Sequence, residues 1–131
     1  MVVSLARVPP GKESFVYHSH ERDEEFLFII SGRGRAEIDD EVFEVGPGDF
    51  MGFQAPGVAH HLTNPYDEDL VYLMGGERSG LDVGYFPRLK RRIVFGKTGI
   101  HAVSEDHVRT MHSDEWFVGQ SPSAPDPAPA T

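Results

Sequence analysis

Seven histidines, no cysteine and a surplus of carboxylates narrow the chemistry open to this 131-residue chain. A thiolate nucleophile, a disulfide and a thiolate metal site are excluded, so any metal ion must be held by imidazole and carboxylate. The sequence places such groups at usable spacings. His18-Ser19-His20 is an H-x-H pair, and on a strand the two-residue period aims both imidazoles to one side, where one ion can bridge them. Glu25 opens the next apolar run and can offer an anionic oxygen beside them. His60 would complete the set from a distant strand, because the Pro56-Gly57 corner just before it lets the backbone turn inward. Neutral imidazoles with one carboxylate leave open positions on a six-coordinate Fe, Mn or Ni ion, or on a four- to five-coordinate Zn ion. An open position is what metal-assisted catalysis requires.

The elements that must position these groups are short strands. Fourteen Gly and ten Pro suit many strands joined by turns and point to an all-β chain. Residues Lys12 to His20 read as a strand with Ser14, Val16, His18 and His20 on one face. After a charged turn, the run Glu25 to Ile30 is apolar on both faces: Leu27 and Ile29 alternate with Phe26, Phe28 and Ile30. One of those faces needs a cover from another sheet, from the C-terminal segment or from a second subunit. Gly32 to Phe50 reads as a hairpin, with Ala36 and Ile38 on one arm, Val42 and Val45 on the other, and acidic turn residues between. Short strands follow at Phe50 to Phe53 and Leu70 to Gly76. Residues 77–118 are less periodic: the runs at 82–86 and 93–96 read as short strands, and 103–111 as one or two helical turns. The Pro/Ala-rich residues 119–131 cannot offset their ordering entropy and read as a flexible tail, leaving one domain over 1–118.

A formal charge of −9 argues against nucleic acid as a partner. The densest basic run, Arg88, Lys90, Arg91 and Arg92, is too short to reverse that balance and reads as a solvated strand or loop face. No stretch approaches the roughly 20 apolar residues of a membrane span, and the N-terminus lacks the apolar run of a signal peptide, so a cytoplasmic location is expected.

Two motifs in order resemble those of the cupin superfamily. The first is His18-Ser19-His20, four residues, Glu25, six residues, Gly32, with Gly11 as its leading glycine one residue further upstream than usual. The second is Gly48-Asp49, then Pro56-Gly57, two residues, His60, three residues, Asn64; the family's P-x-G is altered to Gln54-Ala55-Pro56-Gly57. The resemblance covers about residues 11–75 and implies a double-stranded β-helix, or jelly-roll, barrel with a less regular C-terminal extension. It also implies that His18, His20, Glu25 and His60 are the ligands of one divalent metal ion, Fe, Mn, Ni or Zn. Glu25 is preferred over Glu24 because it keeps six residues before Gly32. His61 should point away from His60 and lie at a surface or interface, while His101, His107 and His112 fall in the irregular C-terminal part, where a lid is conceivable.

By the same resemblance, a homodimer formed through the doubly apolar sheet is expected. Tyr17 or Val16, Gln54, Tyr72 and Arg35 are candidates for contact with a small-molecule ligand. The favoured function is an enzyme of dioxygenase type acting on a small oxygen-chelating organic molecule. Isomerase or lyase chemistry by the same Lewis acid is the alternative, and a non-catalytic ligand-binding module is a third reading.

Overall fold

The computed structural model describes residues 1–112; the expected domain end near 118 and the tail 119–131 lie outside the described residues. Among the described residues, eleven strands alternate with tight turns: β1 (Val2–Val8), β2 (Ser19–His20), β3 (Glu25–Ser31), β4 (Gly34–Ile38), β5 (Glu41–Val45) and β6 (Phe50–Phe53). They continue as β7 (His60–Thr63), β8 (Leu70–Gly76), β9 (Asp82–Phe86), β10 (Arg91–Gly96) and β11 (Gly99–Ser104), followed by a single 3-10 turn at Glu105–His107. Three antiparallel sheets result, with strand orders β1-β8-β3-β6, β5-β4-β7 and β11-β10-β9-β2.

The period-2 pattern explains how the first two sheets close on each other. Leu27 and Ile29 of β3 share a face with Met74 and Tyr72 of β8 and with Met51 of β6. They pack against Ala36, Val45 and Leu62 from the sheet opposite, in one core that also holds Val8, Phe53 and Leu70. Sheet facing sheet around a shared apolar core is the cupin barrel that the motifs imply.

Local chemistry sets the corners. β4 and β5 meet at Asp39-Asp40, where both residues have positive φ, 52° and 64°, as a two-residue type I′ turn demands. Gly32 also has positive φ, and a Cβ there would lie 2.1 Å from the Asp69 carbonyl oxygen, so only glycine lets β3 turn beneath the loop leading into β8. At the altered corner, a Cβ on Gly57 would come within 2.5 Å of the Gln54 carbonyl oxygen, while Gly57 N donates to His20 O at 3.0 Å. That bond ties the corner to the H-x-H segment.

Two expectations need correction. The strand expected over residues 12–20 is only Ser19–His20; upstream, the chain touches β7 through isolated bridges at Glu13 with Thr63 and His18 with His60. The C-terminal extension is more regular than its weak periodicity implied. β9, β10 and β11 form a meander, and β9 pairs with β2. β10 lacks a period-2 signal because every residue after Arg91 is half-buried, so neither face is fully core or fully solvent.

Candidate metal centre

The segment carrying His18 and His20 is held from two sides, by β7 at His18 and by β9 at Ser19 and His20. This places both rings beside the first residue of β3. His18 Nε2 lies 3.1 Å from His20 Nε2 and 3.8 Å from Glu25 Oε1, and His20 Nε2 lies 3.8 Å from Glu25 Oε2. Ligand atoms about 2.0–2.2 Å from a shared ion are roughly 3–4 Å from one another around it, so these spacings fit. His18, His20 and Glu25 form the group whose ligand atoms all lie within 4.8 Å of each other. His60 enters from β7, with its Nε2 against Glu25 Oε1 and its ring stacked on Phe53 at 3.6 Å between centroids.

The donor chemistry supports the same conclusion. His18 Nδ1 donates to Val16 O at 2.7 Å, His60 Nδ1 to Val58 O at 3.0 Å, and His20 Nδ1 to Asp82 Oδ2 at 2.6 Å. Each Nδ1 faces an acceptor that brings no proton, so each imidazole carries its proton there, and its Nε2 lone pair points inward. Lone pairs converging on an ionised carboxylate repel unless a cation lies between them, and a divalent ion meets that requirement. Burial holds the His18 imidazole below its ordinary pKa, against the opposing pull of the Val16 carbonyl and the Glu25 charge. At Glu25 burial pushes the carboxyl up, but the three imidazoles gathered around it, His60 foremost, bring it below the usual range. A neutral imidazole and an ionised carboxylate are the forms a metal binds.

The remaining sequence candidates separate cleanly. Tyr72 is buried beside the candidate ligands and lines a small internal cavity of about 10 Å³ with His18, Glu25 and His60. Burial pushes its phenol up, against a hydrogen bond with Ser14. Gln54 lines an open cleft of about 860 Å³, together with Glu25, Met51, Phe53 and Val58. A smaller cavity of about 190 Å³ touches both His20 and Glu25, and is edged by Glu24, Glu77 and Arg78. Arg35 lines none of these; it is exposed on the outer face of β4, because Gly34 and Ala36 take the inner positions. Tyr17 and Val16 also stay out of them, Tyr17 turning outward to bond Asp40 at 3.0 Å and Val16 being exposed.

His61 corrects a further expectation. It does point away from His60, but it is 5 % exposed rather than at the surface. Its Nε2 lies 2.9 Å from Glu37 Oε2 and its Nδ1 3.2 Å from Phe15 O, under a lid formed by Tyr17 and Arg88. Arg88 bonds Glu37 and lies 4.1 Å from the Tyr17 ring centroid, and Arg92 bonds Glu105, so two members of the basic run are engaged rather than simply solvated. Among the later histidines, His101 and His107 are exposed and reach neither the ligands nor the cavities described. The residue missed entirely in the sequence is Asp82. Its one signal was a lone acid at the head of an otherwise apolar, strand-like run, DVGYF.

No helix among the described residues is long and apolar enough to cross a membrane. A candidate sugar phosphate isomerase from Acidithiobacillus ferrooxidans superposes with a TM-score of 0.82 at 32% identity, covering 85% of this chain and 71% of that one. A cupin-superfamily protein named a sugar phosphate isomerase, from Silicibacter pomeroyi, shares the fold at TM-score 0.76 and 24% identity, over 86% of this chain and 71% of its own. An uncharacterised protein of Methanocaldococcus jannaschii is 37% identical over 59 residues, which is 45% of this chain and 46% of that protein; the match thus spans about half of this curated relative. Residues 4–76 match the Cupin_2 family of cupin domains, more than half of the chain and including all four proposed ligands, and it is to this family that the chain belongs.

Proposed function

We propose that the chain is a metal-dependent isomerase whose substrate is a small polyhydroxylated molecule that chelates the ion through adjacent oxygens. The observation that carries the reading is the convergence of three Nε2 lone pairs on one carboxylate, with every Nδ1 occupied by a protein acceptor. His18, His20, Glu25 and His60 would hold the ion. Bound there, it supplies a Lewis acid that polarises a carbonyl and acidifies a neighbouring hydroxyl.

The protein's own groups supply orientation and proton handling. Phe53 stacked on His60 and Phe86 stacked on His18 lock the imidazole planes. Glu24 and Glu77 stand at the cavities that touch Glu25 and can accept hydrogen bonds, or a proton, from substrate hydroxyls. Arg78 offers a guanidinium at the cavity that reaches His20, where a phosphate or carboxylate substituent would be met. Likeness to a candidate sugar phosphate isomerase over 85% of the chain supports isomerase over dioxygenase chemistry.

The test is hydrogen exchange in D2O by NMR, with the protein loaded in turn with Fe(II), Mn, Ni and Zn and offered short aldoses, ketoses and their phosphates. Metal-dependent deuterium entry at the carbon beside the carbonyl, lost in His60→Ala together with the bound metal, is the expected result. Stoichiometric oxygen uptake without isomerisation would replace this reading with the dioxygenase one. Unchanged metal content in His60→Ala would remove His60 from the ligand set.

A further inference from the structure

The H-x-H segment depends on a strand outside the residues that match the family. Within the sheets described, β2 pairs with β9 alone, and β9 begins at Asp82, beyond residue 76. Asp82 is 4 % exposed, and both of its oxygens are used. Oδ2 accepts from His20 Nδ1 at 2.6 Å, while Oδ1 accepts from the backbone N–H groups of Arg22 at 2.9 Å and Asp23 at 3.3 Å. On the same face of β9, Phe86 stacks on the His18 ring at 5.3 Å with 17° between planes.

We infer that Asp82 is a positioning residue of the metal centre, holding the His20 proton on Nδ1 so that the Nε2 lone pair stays on the ligand side. This role rests on the metal reading above. A buried carboxylate behind a ligating imidazole fixes its tautomer and ring plane and raises its basicity. The carbonyls of Val16 and Val58 do this for His18 and His60 from two residues upstream in the chain. His20 alone takes its partner from 62 residues away. The C-terminal meander therefore contributes to the site without providing a ligand.

The two roles of Asp82 can be separated by one atom. In Asp82→Asn the two backbone N–H groups hold the amide oxygen at the Oδ1 position, which leaves the NH2 facing His20 Nδ1. That nitrogen must then accept, and the ring proton moves to Nε2, where it blocks ligation. The turn at Arg22 and Asp23 keeps its acceptor throughout.

Zinc affinity measured by chelator competition should fall about 10- to 100-fold in Asp82→Asn, with the thermal midpoint of the metal-free protein little changed. In a His20→Ala background the same substitution should change affinity by less than about threefold, since the group it positions is gone. An equal loss in both backgrounds, or affinity unchanged in the single variant, overturns the role. A second readout needs no variant: long-range 15N–1H correlation on the zinc-loaded wild type should show His20 protonated at Nδ1, and protonation at Nε2 overturns the proposal. Wild type that binds no zinc overturns the metal reading itself. Wild type that binds zinc as tightly as Asp82→Asn overturns only the part assigned to Asp82.

Discussion

Adjacent residues around the candidate metal centre face opposite ways and serve different ends. His18 and His60 aim at the centre, while their neighbours Tyr17 and His61 join Glu37, Asp40 and Arg88 in a polar cluster on the far side. The Arg88 hydrogen bond is the main reason the Glu37 carboxyl lies below its ordinary range; burial opposes it and His61 assists it. A carboxyl with a lower pKa folded than unfolded binds fewer protons in the native state, so stability rises with pH through that window. The contribution is complete above the ordinary carboxylate value and is lost as pH falls through the depressed folded one. Glu37→Gln should therefore lose about 1 kcal/mol at neutral pH, Arg88 being half in solvent. Urea titrations between about pH 6 and 3 should show a shallower acid limb for the variant. Parallel limbs would show that the cluster carries no net stability. The shared direction of His18 and His20 was legible at this scale, because H-x-H is a statement about period 2. The burial of His61 was not, since parity gives a direction and says nothing about what covers it.

The elements explain why some strands were readable and others hidden. β3, β4 and β8 each bury one face in the core; β4 shows it as alternation in the sequence, while β3 and β8 were readable as short apolar runs bounded by turn residues. The stretch from Glu13 to His20 pairs with β7 and then, at β2, with β9, so it never completes a regular ladder. The hinge at Gly32 is more sharply specified. Its positive φ and the 2.1 Å approach to the Asp69 carbonyl leave no space for a methyl group. Gly32→Ala should cost about 1–3 kcal/mol by overpacking, with a further strain penalty of order 1–3 kcal/mol from the left-handed backbone. Equilibrium denaturation measures the sum, and a change under about 0.5 kcal/mol would mean the loop at Asp69 yields freely.

For the whole molecule, the outer face of the β1-β8-β3-β6 sheet carries the expectation of a homodimer. Leu5, Leu73, Phe28 and Phe50 stand side by side across all four strands, with Val3 and Ile30 adding to the patch. Leu5 and Phe50 are 68 % and 65 % exposed, and monomeric proteins rarely leave so continuous an apolar row in water. Covering it with the same face of a second copy would satisfy both chains at once. Sedimentation velocity should find a dimer for the wild type and a monomer for the double variant Leu5→Glu, Phe50→Glu. A wild type that sediments as a monomer at 100 µM, taken as an order-of-magnitude working concentration, would dispose of the idea.

What the residues determined without the fold was the chemistry within a strand's reach: which groups can ligate, that His18 and His20 point the same way, and that Glu25 follows at the next element. Period 2 is a local property of the backbone, and it travels with the sequence. Which groups stand behind those side chains was decided only by tertiary pairing. Asp82 reaches His20 because β9 joins β2, and Arg88 covers His61 because the same meander folds back over β4 and β7. Partners so far apart in the chain share no periodicity, and only the closed barrel brings them together.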